Sequence, residues 1–362
     1  MPDDPQHTKP HVQKGVEQPE NLNPALRRRQ ARKAPTTHEY VEGIRAGDRV
    51  LLSRAITLIE SKLDKHREQA QEIIEGCLPF SGDSIRIGIT GSPGVGKSSF
   101  IEALGDHLTQ GDHRLAVLAI DPSSQVSHGS ILGDKTRMGK LARNEQAFIR
   151  PSPAGDSLGG VARKTRETII LCEAAGYDTI IIETVGVGQS EIAVHSMVDF
   201  FLLLLLPGAG DELQGIKRGI VEMADLIAVN KADGERLKLA KRARQEYRNA
   251  LHLFPPKESQ WTPQVVICST LSNLGIDDIW QLVQEYLTFT RENGYFEQRR
   301  REQARFWLED TIKRQLEYLF YHHPRVKGRL QNIQQAVVSG QISPFKGAEE
   351  LLAWFTQHPP ED

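Results

Sequence analysis

The chain has 362 residues, with 45 Lys+Arg against 47 Asp+Glu and a formal net charge of −2. Its hydrophobic share of 39% is that of an ordinary globular chain, and the length allows one large α/β domain with flanking elements, while the balanced charge leaves no footprint for nucleic acid or an anionic membrane as the main partner. The longest apolar run, Phe200 to Leu206, is seven residues. A membrane helix needs ~20, so the run reads as a buried strand. The first residues (MPDDPQHTKP) hold no apolar signal core, and Cys77, Cys172 and Cys268 are too scattered for a disulfide framework or a metal knuckle, so a cytoplasmic protein is expected.

Residues 1–36 are rich in proline and carry Arg27-Arg28-Arg29. With almost no apolar periodicity they are expected to form a disordered tail. Residues 37–82 read as an N-terminal helical extension. Thr36 or Thr37 caps a helix with Tyr40, Val41 and Ile44; Asp48 precedes Leu51, Leu52, Ala55, Ile56 and Ile59 at amphipathic spacing; a third helix covers 65–77. From 84 the pattern changes. Strands are expected at Ile85–Thr90, Leu115–Asp121, Thr179–Thr184, Phe200–Leu206, Leu226–Asn230 and Gln264–Ser269, with helices at Lys97–Gln110, Leu158–Ala175, Glu235–Leu251 and 275–290 between or after them. Near-continuous apolar strands alternating with helices imply a mostly parallel sheet covered on both faces. This α/β domain spans 83–290. Residues 291–362 read as helices only, with one stripe at Trp307, Leu308, Ile312, Leu316 and Leu319. Its aromatics Phe306, Trp307, Tyr318 and Phe320 point to a C-terminal dimerisation extension and a homodimer.

The strongest motif is Gly91-Ser92-Pro93-Gly94-Val95-Gly96-Lys97-Ser98, followed by Ser99. It fits G-x4-G-K-[ST] and lies between a strand and a helix, the context a P-loop NTPase requires. Glycines let the backbone aim several N–H groups at one phosphate, and the helix N-terminus adds its dipole. Lys97 is placed to reach the β- and γ-phosphates, and the Ser98 hydroxyl to meet Mg2+.

Asn230-Lys231-Ala232-Asp233 ends another apolar strand. A carboxylate there accepts from guanine N1–H and the 2-amino group together, and adenine offers neither donor, so the pattern selects GTP or GDP over ATP. Asn230 joins the base to the phosphate loop, and the Lys231 stem stacks on the base. Cys268-Ser269-Thr270 ends the next strand, where a backbone donor for guanine O6 is expected, and Ser269, Thr270 and Leu271 are the candidate base-binding residues there.

Ile181-Ile182-Glu183-Thr184-Val185-Gly186 ends a strand in a carboxylate suited to Mg2+, with the Gly186 N–H available to the γ-phosphate. Val187 stands where a water-orienting Gln is usual, and Gln189 lies two residues further on. Slow intrinsic hydrolysis is therefore expected. Asp121 ends the second strand at the sheet edge where ligands bind, and Asp134 lies in a long polar loop, placed to orient the attacking water or a magnesium-bound water.

GSPGVGKSSF, AIDPSS, GSILGDKTRM, RPSPAGDSLGG, ETVGVGQSE and PGAGDELQGIKRG, with NKADG, together resemble the methylmalonyl-CoA mutase-associated GTPase family over roughly residues 40–340. Older labels call its members arginine/ornithine transport-system kinases. The resemblance implies a Ras-like G domain with helical extensions at both ends and a homodimer formed largely through the C-terminal one. It also implies a GTP-dependent chaperone that gates loading of adenosylcobalamin into an acyl-CoA mutase, methylmalonyl-CoA mutase or a relative. By position, Lys97 and Ser98 fall on phosphate and magnesium residues, Asp121, Asp134 and Glu183 on the acidic switch and metal shell, and Lys217 on a switch loop that senses the mutase. With Gly208, Gly210 and Gly215 ahead of it, Lys217 is also placed to act as a mobile cation toward the γ-phosphate. Two other functions compete: a kinase of a basic amino-acid transport system, for which no phosphoacceptor pocket or base is evident, and a metal-insertion GTPase, for which His-rich tracts are missing. The basic helix from 235 reads as an amphipathic helix with Ala240, Ala243, Tyr247, Ala250 and Phe254 inward, and His322-His323 as surface histidines at a helix end.

Overall fold

The structure, a computed structural model, describes residues 34–120, 138–151, 158–184, 190–208 and 218–357. The tail expected over 1–36 lies almost wholly outside them. The first three helices, α1 (Thr37–Arg45), α2 (Arg49–Glu60) and α3 (Asp64–Cys77), form as their periodicity requires. Asp48 caps α2, accepting the N–H of Val50 at 2.8 Å and of Leu51 at 3.1 Å. A short 3-10 turn, Leu78–Phe80, ends this segment.

The α/β part follows as β1 (Ile85–Gly91), α4 (Lys97–Gln110), β2 (Leu115–Ile120), β3 (Ala147–Arg150), α5 (Leu158–Ala174), β4 (Thr179–Thr184), α6 (Ser190–His195), β5 (Phe200–Leu205), α7 (Arg218–Met223), β6 (Leu226–Val229), α8 (Arg236–Leu251), β7 (Gln264–Ile267) and α9 (Ile276–Glu292). Among the described residues seven strands make one sheet in the order β3-β2-β4-β1-β5-β6-β7, every pair parallel. The edge strand β3 is absent from the sequence reading. It has four residues and pairs on one side only, Leu115 to Leu118 facing Ala147 to Arg150, and it holds one β-branched residue where the equally short β7 holds three, so its strand signal is weak. In the centre, β1 lies between β4 and β5, so the chain leaves its carboxyl end at the crevice of an open α/β sheet.

Helices cover both faces. One face packs β2 and β4 residues such as Leu118, Ile180 and Ile182 against Ile44, Leu52 and Ile56 of the N-terminal helices and against α5. The other packs Ile87, Ile89 and Leu202 against Phe100, Ile101 and Leu104 of α4 and Ile279 and Val283 of α9. In α8, Ala240, Ala243 and Tyr247 turn inward as expected, beside Leu203, Ile227 and Val229.

Three helices finish the chain: α10 (Tyr295–His322), α11 (Pro324–Val338) and α12 (Pro344–Gln357). The stripe read on α10 divides here. Trp307 turns onto the core and its Nε1–H donates to Ser196 O at 3.2 Å, while Leu308, Ile312, Leu316 and Leu319 stay exposed. Residues 307 and 308 are ~100° apart on a helix, so both cannot share one seam. Trp307 is thus not one of the outward aromatics. His322 is exposed and stacks on Tyr318, whereas His323 is half-buried against Trp354 and Phe355. Among the described residues no helix is long and apolar enough to cross a membrane.

Candidate functional site

The β1–α4 turn carries the left-handed backbone that a phosphate loop needs, with φ +151° at Gly91, +80° at Gly94 and +97° at Gly96. At two of these glycines a Cβ would also meet a close contact. A Cβ at position 91 would stand 2.4 Å from Leu204 O, and one at 96 would stand 3.0 Å from Asn230 Nδ2. Helix α4 therefore starts at Lys97 directly behind a curled run of main-chain amides.

Lys97 folds into this loop, donating from Nζ to Gly91 O at 2.7 Å and to Ser92 O at 3.4 Å. Burial lowers its pKa below the usual lysine range, and the neighbouring Glu183 and Glu191 carboxylates act against that lowering. A buried ammonium of this kind gains most from an anionic ligand. Ser98 Oγ donates to Glu183 Oε1 at 3.2 Å, and Glu183 is buried at the end of β4. A hydroxyl beside a buried carboxylate at the mouth of an amide cradle is a donor set suited to a hard divalent cation such as Mg2+. The ends of β1 and β4 are tied by Thr184 Oγ1 donating to Thr90 Oγ1 at 2.9 Å.

The ends of β6 and β7 come to the same crevice. Asn230 is fully buried and donates from Nδ2 to Val95 O at 2.9 Å, and Lys231, at φ +58°, donates from Nζ to Gly94 O at 2.7 Å. Both residues thus fasten to the phosphate loop. Ser269 Oγ donates to Asp233 Oδ2 at 2.8 Å, and the Ser269 N–H is taken by Leu274 O at 3.0 Å. No acceptor among the described residues meets the neighbouring Thr270 N–H, and Leu271 projects outward at 86% exposure. The arrangement offers a carboxylate already oriented by a hydroxyl, a spare amide N–H one residue on, and an apolar side chain beside them. That set complements the donor edge and the carbonyl of guanine.

A methylmalonyl-CoA mutase-associated GTPase model, MeaB, matches residues 52–324. The chain belongs to the MeaB family. It is 49% identical over 310 residues to a putative GTPase of Caulobacter vibrioides, covering 86% of this chain and 95% of that one. It is 44% identical over 317 residues to the GTPase ArgK of Escherichia coli, covering 87% and 96%. A methylmalonic aciduria type A homolog of Mus musculus, named as mitochondrial, is 45% identical over 323 residues, covering 86% and 78%. Among solved structures, a LAO/AO transport system kinase superposes with a TM-score of 0.71 at 36% identity, covering 88% of this chain and 97% of that one. This MeaB-family chain is a GTPase with a P-loop fold and binds guanine nucleotide.

The MeaB-family fold thus gathers Gly91 to Ser99, Glu183, Asn230, Lys231, Asp233, Ser269, Thr270 and Leu271 along one edge of the sheet. Asp121, Asp134, Gly186 and Lys217 lie outside the described residues. Glu191 was missed by the sequence reading. It is buried in the first turn of α6 and lies close enough to act electrostatically on Lys97. Its signal is an acidic residue directly after the glycine-rich ETVGVGQS segment.

Proposed function

We propose that this GTPase gates the loading of adenosylcobalamin into methylmalonyl-CoA mutase or a related acyl-CoA mutase, and protects that cofactor, through cycles of GTP binding and hydrolysis. The observation that carries the nucleotide half is the meeting of two motifs: Asn230 and Lys231 hydrogen-bond the phosphate loop, while Ser269 orients Asp233. The mutase half is supported by the family name and by the mouse methylmalonic aciduria homolog.

In this reading the amides of 91–99 and the Lys97 ammonium hold the β- and γ-phosphates. Asp233 accepts from guanine N1–H and the 2-amino group, Thr270 N–H donates to O6, Lys231 covers one face of the base, and Leu271 borders it. Mg2+ supplies charge neutralisation between the β- and γ-phosphates when bound, and Ser98 and Glu183 are the described residues that would hold it. Asp121 and Asp134 complete the metal shell and water-positioning set, Gly186 meets the γ-phosphate, and Lys217 is the mobile partner-sensing cation; these four assignments rest on motif position and family resemblance. The same reading divides the chain into an N-terminal extension (37–82), a G domain (83–290) and a dimerisation extension (291–362). The dimer is supported by the bare face of α10 and by an apolar cavity of about 710 Å³ bordered by Leu316, Phe320, Ile333, Val337, Leu352 and Phe355.

Two measurements test the reading. Asp233→Asn should lose GTP affinity by at least about 100-fold and gain xanthosine triphosphate, because the xanthine carbonyl then meets an amide donor; unchanged guanine preference would refute the base assignment. Titrating candidate mutases while following phosphate release should accelerate hydrolysis well above the basal rate. Phosphate transfer to a protein acceptor instead would favour the transport-kinase alternative.

A further inference from the structure

Helix α6 has six residues, and a helix this short does not hold on propensity alone. Its position is set from outside at two places. Below it, β1 presents no side chain. A Cβ at Gly88 would stand 2.9 Å from Val194 Cγ1 and 3.1 Å from Val198 Cγ2, so the helix lies directly on the strand that leads into Gly91. Behind it, α10 takes the carbonyls at and just after its C-terminus. Arg299 Nη2 donates to His195 O at 3.0 Å, and Arg299 Nε to Val198 O at 3.1 Å. Trp307 Nε1 donates to Ser196 O at 3.2 Å, and Gln303 Nε2 to Val198 O at 2.8 Å. We infer that Arg299 is a positioning residue for GTP hydrolysis: by capping the C-terminus of α6 it holds Glu191, at the other end of that helix, beside Lys97 of the phosphate loop. The inference rests on the phosphate-site reading above and deepens it.

The last carbonyls of any helix lack intrahelical donors. A guanidinium placed there satisfies them and complements the negative end of the helix dipole. Arg299 is aimed at this task from its own helix, where Nη1 donates to Tyr295 Oη one turn back at 3.2 Å. An uncharged residue in its place withdraws a donor from both His195 O and Val198 O. At the opposite end, Glu191 is buried in the first turn of α6, and its carboxylate acts on the Lys97 ammonium together with that of Glu183. Six residues of helix are only about 9 Å long, so a tilt begun at the Arg299 end reaches Glu191.

The base end of the site is fastened separately, by Asn230 and Lys231 bonding to Val95 O and Gly94 O, and the main-chain amides of the phosphate loop do not depend on α6 for their curl. A displaced Lys97 ammonium therefore costs most where charge is redistributed around the γ-phosphate during hydrolysis. Loss of the α6 cap is read in the hydrolytic step, and far less in the affinity for GDP.

The test measures kcat for GTP hydrolysis and the affinity for GDP on the full chain. Arg299→Ala should lower kcat about tenfold, the order expected when a group near the reacting atoms is misplaced, and change GDP affinity by less than about twofold. Arg299→Lys, which keeps a cation and a donor at the carbonyls, should recover part of the loss. Trp307→Phe keeps an aromatic ring against the core and removes only the N–H; it should lower kcat about threefold, and it carries the test if Arg299→Ala does not fold. Glu191→Gln should also lower kcat. Combined with either variant it should lose no more than the larger single change, because both act along one path. Unchanged kcat in Arg299→Ala and Trp307→Phe overturns the assignment. Losses that multiply in the double variant overturn it too, since the effect then does not run through Glu191, and so does GDP affinity falling as far as kcat, the mark of a packing defect alone. Lys97→Ala read in parallel separates the failures. If it abolishes GDP binding while Arg299→Ala keeps its kcat, only the Arg299 assignment falls; if it retains GDP binding, the phosphate-site reading falls.

Discussion

The two helical extensions both carry apolar stripes and differ in how far this chain covers them. At the N-terminal end, Ile44, Leu52, Ala55 and Ile56 are fully buried against the sheet and α5. The arrangement is pinned where Arg150, at the end of β3, pairs with Glu60 at the end of α2. At the C-terminal end polar groups hold the root of α10. Arg300 bridges Asp199 at 2.6 and 2.7 Å and donates to Ser84 O at 2.8 Å. Arg299 donates to Val198 O and His195 O, and Gln303 donates to Val198 O. Further along, Leu308, Ile312, Leu316 and Leu319 face outward, as does Phe345 on α12 at 86% exposure. An amphipathic pattern reports that a helix has an apolar face; it does not report whether that face is covered by the same chain.

The sharpest way to break the contrast is at the polar root. Arg300→Ala leaves Asp199 buried without its guanidinium, which should cost about 4 kcal/mol in urea unfolding; a loss near zero would mean the root carries no such ion pair. Next comes a matched pair. Leu52→Ala in α2 should cost about 3 kcal/mol through the cavity it leaves, whereas Leu316→Ala in α10 should change the stability of the dilute monomer by less than about 0.5 kcal/mol. Equal losses would erase the distinction between covered and bare faces.

The third test is a pH slope. Burial and the adjacent Arg299 guanidinium lower His195 from its usual 6.5 to about 4, so the folded protein holds the ring neutral while Nε2 lies 3.1 Å from Arg299 Nη2. The unfolded chain binds the extra proton between these values. Stability from this group is therefore full above pH 6.5 and is lost as the pH falls toward 4. Because the ring is only partly buried, roughly 2 kcal/mol is expected over that window. His195→Gln should flatten the difference between melts taken at its two ends, and an unchanged slope would remove His195 from the account.

The extent to which the sequence was readable follows the same division. Six strands and the longer helices around them could be read because each carries a local signal, either a short apolar run or a repeat of 3.6, whereas the six-residue α6 and α7 could not. The phosphate loop was readable because its glycines have one backbone use, and Asp48 because a capping carboxylate precedes an apolar helix. Edge strand β3 was not, since Ala147 to Arg150 hold a single β-branched residue against three in the equally short β7. The turning of Trp307 toward Ser196 and the place of Glu191 near Lys97 were not readable either. Each depends on residues distant in the chain or on which of two adjacent side chains faces the core, and neither appears in spacing.

One last consequence comes from the position of β1 in the middle of the sheet. Its neighbours are β4, whose residues begin at Thr179, and β5, which ends at Leu205, while Ser269 lies beyond both. During translation the ribosome must therefore release the glycine-rich turn long before the strands that flank it. Nascent chains carry an unfinished pocket until the segment around Thr270 has emerged. Arrest at intermediate lengths should yield chains that acquire nucleotide in one late step rather than gradually.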